Sequence, residues 1–134
     1  MNLADAQFVV TVAIPWADGD TVSPVLDTGK TSGLASQPDL DVEIAAPSRE
    51  QSELPDGETL TYSIIGAVDV NLNGAVTLVP NAIIQTGAAG NGSAAVTRKF
   101  RLPTNAPRYV CLAILASENV GESQGSRASL RFLL

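Results

Sequence analysis

The stretch RLPTNAPRYVCLAIL, residues 101–115, passes from a polar turn with two prolines into a run that is apolar on both sides. Alternate side chains of a β-strand point to opposite faces of the sheet. Here both sets are apolar: Tyr109, Cys111, Ala113 and Leu115 on one side, and Val110, Leu112 and Ile114 on the other. One set must face a core, and the other must be hidden too, either under loops of the chain or under another subunit.

Other strand-like runs flank this one at intervals of about ten residues, with Gly and Pro between them. The last run alternates cleanly, with Ala128, Leu130, Phe132 and Leu134 opposed to Arg127, Ser129 and Arg131. The remaining runs are residues 7–14, 22–27, 39–46, 58–65, 68–79, 82–86 and 95–102. No window of a dozen residues keeps the apolar spacing of an amphipathic helix. The pattern predicts an all-β domain, either a sandwich or a barrel.

The length of 134 residues predicts one domain with its own core. Within it we expect residues 1–38 to supply an N-terminal strand and an extended arm or loop, and residues 39–134 to form the body. Pro24 interrupts the run at residues 22–27, which predicts an edge strand. Asn73-Gly74, at the centre of residues 68–79, predicts a hairpin turn.

The charge is negative overall but unevenly placed. The chain carries a net charge of -6, yet residues 98–134 hold six basic side chains against two acidic ones, a local charge of +4, which leaves -10 on the rest. The two ends can pair within one chain, or acidic and basic patches can meet on neighbouring copies. An acidic chain is a poor partner for nucleic acid, because phosphate binding needs a cationic surface.

Two further features bear on where the chain works. No stretch approaches the roughly 20 apolar residues of a membrane span, and residues 1–16 lack the basic region of a secretory signal. We therefore expect a soluble protein with no membrane partner. Cys111 is the only cysteine, and its place in an apolar run predicts a buried, inert thiol.

Residues that could carry chemistry are scarce. The chain has no histidine and one cysteine, which removes the commonest general base and the usual zinc ligands. The best enzymatic match is LDTGK, residues 26–30, whose Asp27 begins the Asp-Thr-Gly triplet of retroviral-type aspartic proteases. Lys30 departs from that pattern, and the triplet also makes an ordinary turn. We expect no enzymatic activity, no cofactor and no metal.

Several stretches resemble the capsid cement, or decoration, proteins of short-tailed bacteriophages of the Bordetella-phage type. The resemblance covers about the C-terminal two thirds of the chain, in residues 39–48, 52–64, 83–115 and 128–134. Its most specific elements are Leu54-Pro55-Asp56-Gly57, Gln85-Thr86-Gly87-Ala88, Arg101-Leu102-Pro103 and Arg108-Tyr109.

The resemblance implies a jelly-roll sandwich of about eight strands that oligomerises on the outer surface of the phage head and clamps the major capsid protein. Such a protein is made in the bacterial cytoplasm and carried on the virion. A trimer is favoured over a dimer, because head lattices offer many three-fold sites. Contacts are expected from one tryptophan, which is either a core plug or an exposed anchor, and from four arginines: Trp16, Arg98, Arg101, Arg108 and Arg131.

A different class of function stays open beside this one. Carbohydrate-binding and adhesion domains use the same sandwich architecture, but they usually expose aromatic side chains that stack on sugar rings. Only 4% of this chain is aromatic, which favours a structural role.

Overall fold

The computed structural model describes residues 9–16, 19–27, 41–102, 107–121 and 126–133. Within these residues the chain forms nine β-strands and no helix. In chain order the strands are β1 (Val9–Ala13), β2 (Asp20–Val22), β3 (Leu26–Asp27), β4 (Asp41–Ala46), β5 (Thr59–Ala67), β6 (Val76–Thr86), β7 (Val96–Arg101), β8 (Tyr109–Ala116) and β9 (Arg127–Leu133).

The strands build two antiparallel sheets that pack into a sandwich. The first has the order β1-β9-β4-β7, and the second has the order β2-β8-β5-β6 with β3 also paired to β8. Because β2 and β3 share one position beside β8, the nine strands fill eight positions. Along the chain these positions switch between the sheets at every step except from β5 to β6, which is the order of a jelly roll. The predicted single-domain sandwich of about eight strands is thereby confirmed.

Pro24 causes the split between β2 and β3. The ladder to β8 continues up to Ser23, whose backbone N–H donates to the Leu112 carbonyl at 2.9 Å and whose hydroxyl accepts from the Leu112 N–H at 3.0 Å. Proline has no N–H to donate, so the pairing breaks there and resumes at Leu26. The interrupted edge strand predicted from residues 22–27 is confirmed.

The hairpin between β5 and β6 differs from its prediction. Residues 68–72 were expected to be a strand, but they form turns, and the connection runs from Val68 to Ala75. The Asp69 carboxylate accepts hydrogen bonds from the backbone N–H of Asn71 at 2.8 Å and of Asn73 at 3.2 Å, which offers the backbone an alternative to strand pairing. Gly74 supplies the left-handed position, with φ of +67°.

The expected break between residues 68–79 and 82–86 is also wrong. Strand β6 runs from Val76 to Thr86 straight through Pro80. The strand tolerates proline because it lies at the edge of its sheet, where an N–H is dispensable. The register with β5 shifts near this point, and Asn81 has a positive φ of 51°.

The core lies between the sheets and is almost entirely aliphatic. Strand β9 alternates as the sequence predicted, with Ala128, Leu130 and Phe132 buried. The facing sheet contributes the largest buried aromatic side chain, Tyr62. Its hydroxyl donates to Gln85 Oε1 at 2.7 Å, which satisfies two polar groups inside the apolar layer.

The first part of the chain belongs to both sheets. Among the residues that the structure describes, β1 pairs only with β9, and β2 and β3 pair with β8. Residues 1–38 were expected to supply an N-terminal strand and an extended arm or loop; they supply three strands up to Asp27, while residues 28–38, where the arm or loop was expected, lie outside the described residues.

At one end of the sandwich, loops approach one another through glycines. A Cβ built on Gly92 would lie 2.0 Å from the Arg49 carbonyl oxygen, and one on Gly121 would lie 2.0 Å from that of Ser52. The buried Arg49 bonds the Ser48 carbonyl through Nε at 2.9 Å and the Glu53 carboxylate through Nη1 at 3.3 Å. These contacts fix the loop between β4 and β5.

Candidate interaction surface

The outward side of the second sheet carries a nearly uncharged surface. Register pairing places Thr61 beside Leu115 on one side and Ile84 on the other, and Ala113 lies between Val22 and Ser63. We call these six residues the open face: Val22, Thr61, Ser63, Ile84, Ala113 and Leu115. Asp20, in register with Leu115, marks its edge with one carboxylate.

Three aliphatic side chains of the open face reach into solvent. Val22 is 52% exposed, Ile84 53% and Leu115 55%. The same side of the sheet holds a shallow depression of about 290 Å³, lined by Asp20, Val22, Ser63, Ala113 and Leu115 among other residues. Exposed aliphatic side chains beside a depression suit apolar contact with another surface.

Strand β8 shows why the run at residues 109–115 has no polar side. Of the two sets of side chains, Val110, Leu112 and Ile114 are the ones that point into the core. On the outward side Cys111 is fully buried, whereas Leu115 stands open. The chain thus covers one end of this outer face itself and leaves the other end uncovered. Burial raises the pKa of the Cys111 thiol to about 11, so the thiol is protonated and unreactive at neutral pH.

The outward side of the first sheet has the opposite character. Arg131 lies in register with Glu43 and pairs with it at 2.7 Å, and Arg101 pairs with Asp41 at 3.0 Å. Both ion pairs join β4 to a neighbouring strand, so basic residues of the last third of the chain meet acids from the first part. This is the pairing within one chain that the uneven charge allowed. We call this surface the ionic face.

The contact residues expected from the sequence lie on several elements. Arg101 and Arg131 belong to the ionic face, and Arg98 is exposed on β7 with no ion pair among the described residues. Trp16 lies on the connection between β1 and β2 and is 50% exposed, which fits the anchor interpretation better than the core plug.

Arg108 directly precedes β8 and forms an ion pair with Asp27. Its Nε and Nη2 donate to the two carboxylate oxygens at 3.0 and 2.9 Å. The hydrogen bond to Asp27 raises the pKa of Arg108. A guanidinium in this position favours the ionised carboxylate, whereas a protease dyad needs two carboxyls that share a proton. Thr28 and Gly29 of the triplet lie outside the described residues.

A second exposed apolar group lies at the connection between β5 and β6. Val68 is 78% exposed, Val70 54% and Val76 52%, and we call these three residues the loop patch. Val76 pairs with Gly66, five residues along β5 from Thr61, which places the loop patch roughly 16 Å or more from the centre of the open face. Sequence reasoning missed the loop patch, because the spacing of its valines matched that of core-facing strand residues.

Within the described ranges, no group of three or more His, Cys, Asp or Glu side chains could hold a metal ion. The described segments also include no helix long and apolar enough to cross a membrane.

Comparisons with known protein families, with curated proteins and with solved structures found no match to this chain.

Proposed function

We propose that the chain is a structural protein of a bacteriophage virion, a capsid cement protein. It is made in the bacterial cytoplasm, binds the outer surface of the head, and stabilises the lattice of the major capsid protein. The resemblance at residues 52–64 and 83–115 suggests this role, and the jelly-roll sandwich is the fold that it implies.

The observation that carries the proposal is the presence of two separate apolar surfaces on one sandwich. A protein that stabilises a lattice must bind at least two neighbours, and the open face and the loop patch are far enough apart to contact different ones. Binding only to the assembled lattice stabilises it by mass action. Because a lattice repeats its sites, each single contact can be weak.

The alternatives have less support. Sugar binding relies on stacking against aromatic rings, but the open face presents Val, Leu and Ile side chains instead. A protease centred on Asp27 would need that carboxyl to exchange protons, and the bidentate contact with Arg108 opposes this.

The proposal is tested with purified phage heads that lack the protein. Adding the wild-type chain should raise the temperature at which heads rupture, and the chain should co-sediment with them. Val70→Glu places a charge in the loop patch and should weaken binding by about tenfold or more, since a buried unpaired charge is costly. Thr97→Glu adds the same charge on exposed β7 and should bind like the wild type. Heads that neither bind the wild-type chain nor gain resistance would refute the role.

A further inference from the structure

We propose that Asn73 is a site of spontaneous chemical modification, at which the side-chain amide becomes a carboxylate with loss of ammonia. The site lies in the connection between β5 and β6, between Val70 and Val76 of the loop patch. The conversion needs no partner, whereas its effect on head binding rests on the proposed function.

The reaction follows from the order of Asn73 and Gly74 in the turn. After losing its proton to a base in solution, the backbone nitrogen of Gly74 attacks Cγ of Asn73. A bond from that nitrogen to Cγ replaces the bond from Cγ to Nδ2, and Nδ2 takes up a proton and leaves as ammonia. Water then opens the cyclic imide, which leaves aspartate or isoaspartate at this position. No oxidant or reductant takes part, and water is the only co-reactant.

Both reacting groups are accessible. Asn73 and Gly74 are exposed, and a glycine has no side chain to shield its backbone nitrogen. Among the described residues the Gly74 N–H makes no hydrogen bond, so its reaction breaks no backbone pairing. The sheet pairing of β5 with β6 reaches only to Gly66 and Val76, so the turn can rotate while that pairing stays intact.

Asp69 controls how readily the Asn73 side chain can turn toward Gly74. Its carboxylate accepts from the Asn73 N–H at 3.2 Å and from Asn73 Nδ2 at 3.0 Å. Ring closure rotates the groups that carry both donors, so these hydrogen bonds oppose the reaction for as long as they are formed. Asp69 is therefore a positioning residue that slows the conversion.

The second Asn-Gly pair of the chain lacks this freedom. Gly92 is buried, and a Cβ built on it would lie 2.0 Å from the Arg49 carbonyl oxygen. The next residue, Ser93, exchanges two backbone hydrogen bonds with Arg49, at 2.8 and 2.9 Å. Rotation of the peptide between Asn91 and Gly92 would disturb these contacts. One chain thus presents the same dipeptide in an open turn and in a tightly packed one.

The product alters the loop patch. At neutral pH the new carboxylate is ionised, and it replaces an amide that donated to Asp69 at 3.0 Å, so an attraction becomes a repulsion between like charges. The valines of the loop patch then lie beside two carboxylates. Burying these charges against the head is unfavourable, so head binding should weaken as the chain ages.

The first experiment is mass spectrometry with peptide mapping of the folded full chain, incubated at neutral pH for many half-lives of a synthetic peptide of residues 68–76. Asn73 should convert about tenfold or more faster than Asn91. The rate should rise with pH, because the Gly74 amide must lose its proton. Gly74→Ala should lower the rate, since a Cβ shields the attacking nitrogen.

Asp69→Ala tests the positioning role. It should raise the rate at Asn73 severalfold and leave the rate at Asn91 unchanged, because it removes only the hydrogen bonds of the first turn. Asp20→Ala removes the same charge from β2 and should change neither rate. Circular dichroism checks that each variant folds.

A second experiment measures co-sedimentation with phage heads. Asn73→Asp reproduces the aspartate product and should bind about tenfold more weakly than the wild type, because it places the added charge in the loop patch. Asn91→Asp, the same substitution at the other exposed asparagine, should bind like the wild type. Equal binding by the two variants would refute the effect on binding.

Other outcomes overturn the modification itself. They are equal rates at Asn73 and Asn91, an Asp69→Ala variant that converts no faster, or a folded chain that keeps its Asn73 amide throughout the incubation. A chain that converts at Asn73 but never binds heads refutes the cement role and leaves the modification standing. A chain that binds heads and never converts does the reverse.

Discussion

Tyr62 and Gln85 form a hydrogen-bonded pair inside the sandwich, 23 residues apart in the chain and almost completely buried. Gln85 Oε1 accepts from the Tyr62 hydroxyl, and Gln85 Nε2 donates to the carbonyls of Pro47 at 2.8 Å and Ala94 at 3.2 Å. One side chain thus ties β5 and β6 to the loops that precede β5 and β7.

This pair gives the first prediction. Tyr62→Phe removes the donor and leaves Gln85 Oε1 buried without it, so the free energy of unfolding should fall by about 1–3 kcal/mol. Gln85→Ala should lower the free energy of unfolding further, because it also removes the hydrogen bonds to the carbonyls of Pro47 and Ala94. In urea denaturation, the variant that carries both Tyr62→Phe and Gln85→Ala should lose less free energy of unfolding than the sum of the two single losses. Strict additivity would mean that the two side chains do not act together.

The second prediction concerns Gly92, which has a φ of +66° and no space for a Cβ against Arg49. Gly92→Ala should lower the free energy of unfolding by about 3 kcal/mol or more, since a carbonyl must move in addition to the left-handed strain of about 1–2 kcal/mol. Gly90→Ala is the matched control, because Gly90 has a φ of +71° and nothing within 4 Å of a Cβ. Gly90→Ala should lower the free energy of unfolding only by the left-handed strain of about 1–2 kcal/mol. Equal losses in the two variants would contradict the close approach.

The third prediction separates the two sides of β8. Leu112 is fully buried, so Leu112→Ala should lower the free energy of unfolding by about 2–5 kcal/mol. Leu115→Ala should change it by less than about 0.5 kcal/mol when measured at a concentration low enough to keep the chain monomeric. A large loss in Leu115→Ala under those conditions would mean that the side chain is covered within the monomer.

The fourth prediction is a pH dependence. The backbone N–H of Asn119 and the Ser117 hydroxyl, both bonded to Glu58 Oε1, hold the pKa of Glu58 below its ordinary value of 4.5. The folded state therefore releases this proton more readily than the unfolded state. The resulting stability is present above pH 4.5 and is lost as the pH falls through the lowered pKa.

In urea denaturation, Glu58→Gln should be less stable than the wild type at neutral pH, and the difference should shrink below pH 4.5. Glu118→Gln, which removes the same charge at an exposed position, is the control for the loss of charge alone. A gap between wild type and Glu58→Gln that stays constant with pH would exclude the ionised carboxylate as its cause.

The fold could be read from the sequence wherever one strand face was apolar and the other polar, as in β4 and β9. It could also be read at Pro24, whose missing N–H interrupts the pairing with β8. The prediction failed at residues 68–72, where Val68, Val70 and Leu72 alternate with polar residues as they would in a strand. There the Asp69 carboxylate binds the backbone instead, and a hydropathy pattern carries no information about that competition.

The interaction surface was predictable only in part. The doubly apolar run indicated that an outer face needs cover, and the open face lies there. The arginines were harder to interpret, because the partner of Arg131 is 88 residues away in the chain and that of Arg108 is 81 residues away. Local sequence cannot tell such a paired cation from one that is available to a neighbour.

The pairing of β1 with β9 has a consequence for synthesis. Among the described residues β1 pairs only with β9, so residues 9–13 cannot enter the sheet until residues 127–131 have been made. A nascent chain therefore keeps β1 unpaired until β9 has been synthesised, and pairing two segments so distant in the chain is slow. A product truncated before β9 would leave part of the apolar core exposed, which favours proteolysis and aggregation.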